Sequence, residues 1–141
     1  MRIVADLMTR DVITLFEDNT LSDARAVMKQ KGIRHIPVIA RNGELVGVLT
    51  QRAMLTVALN IADQIGLKRL ERVEAEKLVS EIMEPVGRCF KEDDTLVDAV
   101  DHLLTHKTAI LCVTRDKEII GIVSPVDFMR CALFYLKQAS I

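Results

Sequence analysis

Cysteine is scarce in this chain. Cys89, Cys112 and Cys131 are its only three, widely separated and without CxxC spacing. That argues against a disulfide framework or a zinc cage and fits a reducing interior, with thiols acting as small hydrophobes. Charge of one sign is also lacking. Nineteen Lys and Arg against twenty Asp and Glu leave a formal net charge of −1. There is no basic field to gather nucleic acid or an acidic membrane, so neither is expected as a partner. No window approaches 18 uninterrupted apolar residues, and no membrane span is expected. Asp6 interrupts any signal-peptide core near the N-terminus, and the chain is expected to be cytoplasmic. Catalytic signatures are missing as well: no GxxxxGK[ST] phosphate loop, no GxSxG elbow and no HExxH pair. His102 and His106 share a helical face at i and i+4, but the run between them is Leu103-Leu104-Thr105. No catalytic residue and no metal site is assigned, and no cofactor is required.

What the chain does have is an internal repeat. Val4-Ala5-Asp6-Leu7-Met8 recurs 75 residues later as Val79-Ser80-Glu81-Ile82-Met83, and Thr20-Leu21-Ser22-Asp23-Ala24 as Thr95-Leu96-Val97-Asp98-Ala99. Leu45-Val46-Gly47-Val48-Leu49-Thr50 recurs at a shift of 74 as Ile119-Ile120-Gly121-Ile122-Val123-Ser124. A duplication filling most of 141 residues implies two similar units. A unit of about 60 residues would bury only about 60% of its unfolded surface, so two sharing a core are the more stable arrangement.

Each repeat reads in the same order. A short turn ends at Met8 or Met83, and an extended stretch follows at 11–16 or 86–91. Thr20 and Thr95 then open helices, each with Asp three residues on, so that hydroxyl and carboxylate can cap reciprocally. Leu21, Ala24, Val27 and Met28 share a helical face, as do Leu96, Ala99, Leu103 and Leu104. Gly32 suits the stop of the first helix; Lys107 holds the equivalent place, so the second helix is expected to end differently. Two apolar runs flank Asn42-Gly43, a hairpin signal, and two more flank 114–117. A last helix starts near Thr50 or Ser124, where Pro125 suits a first helical position. Met54, Leu55, Ala58, Leu59, Ala62 and Ile65 continue a stripe to Gly66, and the charged stretch 68–77 reads as a solvated linker helix. The stripe is the candidate for a contact with a second copy or partner. The boundaries are a first repeat with its closing helix at 1–65, a helical linker at 66–78 and a second repeat at 79–141.

This ordered set of motifs resembles a pair of CBS domains, the cystathionine-β-synthase-type regulatory modules. The specific pieces are Ile36-Pro37-Val38 with Gly47-Val48-Leu49-Thr50, and Gly121 to Ser124 with Pro125-Val126-Asp127-Phe128. The resemblance implies an α+β fold of two β-α-β-β-α repeats packed as a pseudo-twofold pair with clefts between them. It also implies an adenosine-containing regulatory ligand such as AMP, ADP, ATP or S-adenosylmethionine. The family's [Thr/Ser]-x-x-Asp motif offers its carboxylate to ribose hydroxyls and its hydroxyl to ribose or phosphate. Such a carboxylate can accept from two vicinal hydroxyls, and a helix N-terminus behind it favours phosphate.

The second repeat keeps the motif as Ser124-Pro125-Val126-Asp127. The first reads Thr50-Gln51-Arg52-Ala53, with alanine in place of the carboxylate. One better-equipped site per chain is therefore expected. On the family pattern it combines Ser124 and Asp127 with Ile13 and Thr14 and with Arg34-His35-Ile36-Pro37. Ile13, Ile36 and Ile122 would wall the adenine, and Arg34 or Arg130 would pair with phosphate. The weaker cleft would use Cys89, Thr50 and Ala109. Two readings of Asp127 stand side by side: a ligand acceptor, and a plain cap of the last helix. The function implied is a non-catalytic sensor that signals to a separate effector protein and forms a homodimer. The alternative is a ligand-independent dimerisation or interaction scaffold.

Overall fold

The computed structural model describes residues 1–66 and 69–139; the linker positions 67–68 and the last two residues of the second repeat fall outside the described residues. Its elements are β1 (Leu15–Phe16), α1 (Leu21–Lys31), β2 (His35–Ile39), β3 (Leu45–Thr50), α2 (Gln51–Ile65), α3 (Leu70–Glu76), β4 (Glu84–Pro85), α4 (Leu96–His106), β5 (Leu111–Arg115), β6 (Glu118–Val123) and α5 (Pro125–Ala139). Short 3-10 turns at Val4–Asp6 and Val79–Glu81 lead into the two repeats. The fold is α+β and built twice, as expected.

Contacts divide the chain into two compact units that are not the same division as the sequence repeats. The central unit is 13–86; the terminal unit joins 1–12 to 87–141. In the central unit β1, β2, β3 and β4 form one sheet in that order. β1 runs parallel to β2, and the β2–β3 and β3–β4 pairs are antiparallel. In the terminal unit β5 and β6 pair antiparallel. Phe90 bridges Val113 in parallel on one side, and Thr9 bridges Ile122 antiparallel on the other. Each unit thus takes its lead-in turn from the other repeat. Val4 and Ala5 donate their N–H groups to the carbonyls of Asp94 and Glu92, and Val79 and Ser80 donate to those of Asn19 and Glu17. The apolar side chains follow. Val4 and Met8 pack with Phe90, Leu96, Ala99 and Val123, while Val79 packs with Leu15, Leu21, Ile36 and Leu49.

Capping follows the sequence closely. Thr20 Oγ1 accepts from Asp23 N–H at 3.2 Å while Asp23 Oδ2 accepts from Thr20 N–H at 3.0 Å. Thr95 Oγ1 accepts from Asp98 N–H at 3.1 Å. Gly32 ends α1 in the left-handed region with φ 64°. The expectation that α4 ends differently is overturned. Lys107 adopts φ 52° and ψ 36°, and its N–H closes on the carbonyl of Leu103, the same stop without a glycine. A second correction concerns the linker. Helix α3 is not wholly solvated, because Glu74 is only 4% exposed. Its carboxylate accepts two hydrogen bonds from Arg25 of α1, at 2.8 and 2.6 Å, which offsets the cost of burying it.

Candidate functional site

In the terminal unit β6 delivers Ser124 to the head of α5, and the first helical turn brings Asp127 back over it. Asp127 N–H donates to the carbonyl of Ser124 at 3.0 Å. Asp127 Oδ2 accepts from Ser124 N–H at 2.8 Å and from Ser124 Oγ at 3.2 Å. The carboxylate therefore does act as a helix cap. It is also 8% exposed, one of only two buried charged residues among the described ones. Its other oxygen, Oδ1, lies 4.0 Å from Nη1 of Arg130, whose own side chain is 76% exposed. A carboxylate whose Oδ2 is occupied and whose Oδ1 has only a distant cation retains accepting capacity on that second oxygen. Ile122 exchanges backbone hydrogen bonds with Thr9 at 2.8 and 3.0 Å, so its position is fixed by the lead-in turn. Ser124, Asp127, Ile122 and Arg130 are thus gathered at one strand-to-helix junction.

The equivalent junction in the central unit is simpler. Thr50 Oγ1 accepts from Ala53 N–H at 3.0 Å, and Ala53 supplies no reciprocal acceptor. Beside it, β2 sets His35 opposite Thr50 and Ile36 opposite Leu49. Ile36 and Pro37 are fully buried, and Ile36 belongs to the apolar core of this unit. Arg34 is exposed, and its carbonyl accepts from Gln51 N–H at 2.8 Å. Burial holds the His35 imidazole below its usual value against the pull of Glu84, with Arg34 pushing the same way as burial. Ile13 and Thr14 are part-buried just before β1.

Of the residues assigned to the weaker cleft, Cys89 sits in the terminal unit at a cavity of about 490 Å³. Its neighbours there include Lys91, Glu92, Thr114 and Arg115. Arg115 and Arg10 both pair with Glu92, and Arg115 in particular holds that carboxyl below its usual range. Thr114 and Arg115 were not among the sequence-derived candidates. The signal for them is the parallel alignment of the segment around Phe90 with β5, which no local spacing records. Among the described residues no cluster of three or more His, Cys, Asp or Glu side chains could hold a metal. Rings of His102 and His106 stack at 4.2 Å, and His102 meets Phe90 edge-on at 5.4 Å.

The CBS domain family model matches residues 4–60 and 79–133. The chain is 30% identical over 128 residues to a homoserine O-acetyltransferase of Methanococcoides burtonii, covering 90% of this chain. It spans only 23% of that enzyme's length. Among solved structures, AcuB of Vibrio cholerae superposes with a TM-score of 0.81 at 27% identity, over 99% of this chain and 96% of that one. CBSX2 of Arabidopsis thaliana superposes with a TM-score of 0.82 at 27% identity, over 96% of each chain, and CBSX2 has also been solved in complex with AMP. No helix among the described residues is long and apolar enough to cross a membrane. The family match falls on both repeats in turn and covers well over half of the sequence: the chain belongs to the CBS domain family.

Proposed function

We propose that the chain is a non-catalytic regulatory module that binds an adenosine-containing ligand and signals to a separate partner protein. AMP, ADP, ATP and S-adenosylmethionine are the candidate ligands. The observation that carries this reading is Asp127: a buried carboxylate at the head of α5 with Oδ2 engaged and Oδ1 able to accept. Ribose offers two vicinal hydroxyl donors, and each bond to an ionised acceptor contributes about 1.5–3 kcal/mol. Arg130, exposed and anchored only at 4.0 Å, can turn toward a phosphate. The AMP complex of CBSX2, at 27% identity, supports the ligand class. Ile13, Thr14, Arg34, His35, Ile36, Pro37 and Ile122 complete the proposed contacts on the strength of the family resemblance. A ligand transmits a signal only through different affinities for two conformations, so the proposal requires such a pair. The setting is cytoplasmic, and the working form a homodimer.

Calorimetry and thermal shift with the four ligands test the proposal. A ligand at 100 times its dissociation constant should stabilise the fold by about 2.7 kcal/mol. Asp127→Asn keeps an acceptor for Ser124 N–H and should stay folded while losing about tenfold or more in affinity, the equivalent of 1.4 kcal/mol. Ala53→Asp should stabilise α2 through a reciprocal cap without ligand; any further ligand-dependent gain would mark a second site. Silence with all four ligands in a folded protein would sink the reading.

The scaffold alternative has one observation of its own. Leu55 and Leu59 on α2, and Met129, Leu133 and Phe134 on α5, are 47–70% exposed. A dimer indifferent to every ligand and captured by a single partner protein would favour it; a monomer at micromolar concentration would count against it.

A further inference from the structure

Cys89 and Cys112 lie on neighbouring extended segments of the terminal unit. Phe90 N–H donates to the Cys112 carbonyl and Thr114 N–H donates to the Phe90 carbonyl, both at 2.9 Å. Phe90 therefore stands opposite Val113 in a parallel bridge. Carried one residue back, the same register sets Cys89 opposite Cys112. Paired residues of a parallel ladder project to the same face, and successive residues to opposite faces. Phe90 and Val113 fill the core, so the two cysteines share the other face. An independent observation agrees: Thr114, two residues on from Cys112 and on its face, lines the same cavity as Cys89, whose thiol donates to the Gly87 carbonyl at 3.9 Å. Paired strands run about 4.8 Å apart, inside the Cα separation of about 4.4–6.8 Å that a disulfide bridges.

We propose that Cys89 and Cys112 are a redox pair that closes reversibly into a disulfide, pinning the segment around Phe90 to β5. The oxidant is a low-molecular-weight disulfide. Cys89 reacts first, because it is part-exposed and opens onto the cavity beside Lys91 and Arg115, whereas Cys112 is buried. Its thiolate attacks one sulfur of the small disulfide, whose S–S bond breaks to release one thiolate. The Cys112 thiolate then attacks the Cys89 sulfur of the mixed disulfide and expels the second. Two electrons pass from the protein to the small disulfide, and the two protons lost by the cysteines end on the two released thiols. Burial raises both cysteine thiols, Cys112 to about 12. Closure is therefore slow near neutrality and accelerates as pH rises. The pairing is invisible to spacing rules, since 22 residues separate the two cysteines along the chain.

The test treats the native chain of 141 residues with oxidised glutathione at about pH 8.5, where thiolate is more abundant. Remaining thiols are then alkylated and the protein is cut with trypsin. Cleavage after Arg88, Lys91, Lys107 and Arg115 frees peptides 89–91 and 108–115. The expected result is these two joined by a disulfide that dithiothreitol opens, with Cys131 alkylated. The rate should rise close to about tenfold per pH unit while thiolate is the scarce species. Cys131→Ser should behave as the wild type, and Cys89→Ser, at a part-exposed site, should give no internal disulfide. Both thiols remaining free, a mixed disulfide that persists at Cys89, or a bond to Cys131 in the native protein would each overturn the proposal.

Discussion

Gly47 and Gly121 hold the same place in the two repeats, yet a side chain at each would meet a different kind of obstacle. A Cβ at Gly47 would lie 2.6 Å from the carbonyl oxygen of Glu84, part of the paired strand β4, and 2.7 Å from Met83 Sδ. At Gly121 the nearest atom is Met8 Sδ at 2.7 Å, the far part of a flexible side chain, with the Thr9 carbonyl farther off at 3.2 Å. Gly47→Ala should cost about 1–3 kcal/mol and Gly121→Ala less, because methionine can re-pack where backbone cannot. Urea midpoints of the two variants check this; equal losses would refute it. The glycines themselves were legible as part of a repeated motif. Their reason was not, since it depends on methionines that lie more than thirty residues away in the chain. Asp127 shows the same division. Its type and position were readable, and so was the choice between cap and ligand acceptor, but only coordinates show that capping engages one of its two oxygens. At Lys107 the local rule misled. Left-handed backbone costs a non-glycine residue about 1–2 kcal/mol, so sequence favours another ending that the structure does not adopt.

Helices α1 and α4 were readable in full because their caps and apolar faces agree with each other; α3 was readable as a helix but not in what it packs against. Its signal is a run of charges, which normally means a solvated face. The partner that buries Glu74 is Arg25, 49 residues earlier, and charge patterning carries no information at that distance. The pair ties α3 to α1 through a two-pronged contact, with Arg25 about half exposed and Glu74 at 5% by side chain. Arg25→Met should leave a buried carboxylate without its cation. The loss should be about 1–3 kcal/mol, below that of a fully buried pair because solvent already reaches the guanidinium. Hydrogen exchange should localise the effect, with faster exchange in α3 and little change in β5 and β6. Uniform acceleration across both units would show that α3 is no separate clamp.

For the whole molecule, the direction of acid response follows from groups held away from their ordinary values. Burial lowers both His35 and His102, the latter helped by His106 and Arg88. Both are reluctant to protonate when folded, so the unfolded chain binds more protons. Their contribution is intact above the unfolded value of 6.5 and is lost as pH falls below it. Asp23, Asp6, Asp18 and Glu92 are also lowered, by the Thr20 N–H, the Arg2 N–H, Arg41 and Arg115 respectively. Their contribution is present above 3.8–4.5 and disappears as pH falls through the depressed values. Thermal midpoints should stay level between about pH 7 and 8, fall gently below 6.5 and again below about 4, and decline above about 9, where the buried thiols resist ionising in the folded chain. His35→Gln should flatten the first of these declines, and an unchanged profile would assign it elsewhere. The division into compact units makes a second prediction at this scale. A fragment of residues 13–86 keeps every strand and buried side chain of its unit and should fold alone. A fragment of 79–141, which follows the sequence repeat, lacks Val4 and Met8 from its core and should be largely unfolded by circular dichroism. The reverse outcome would make the repeats the units of stability. The repeat was the plainest feature of the sequence, but which copy's lead-in turn serves which core is a matter of packing.

That exchange of lead-in turns also sets an order of events during synthesis. The central unit is complete once residue 86 has left the ribosome and can fold while the remaining chain is still being made. Residues 1–12, translated well before the rest of their unit, have no home until β5, β6 and α5 exist. Val4 and Met8 must wait through the making of more than a hundred residues before Val123 can cover them. That segment is therefore among the last to be secured, and until then its apolar side chains stay open to a nascent-chain chaperone.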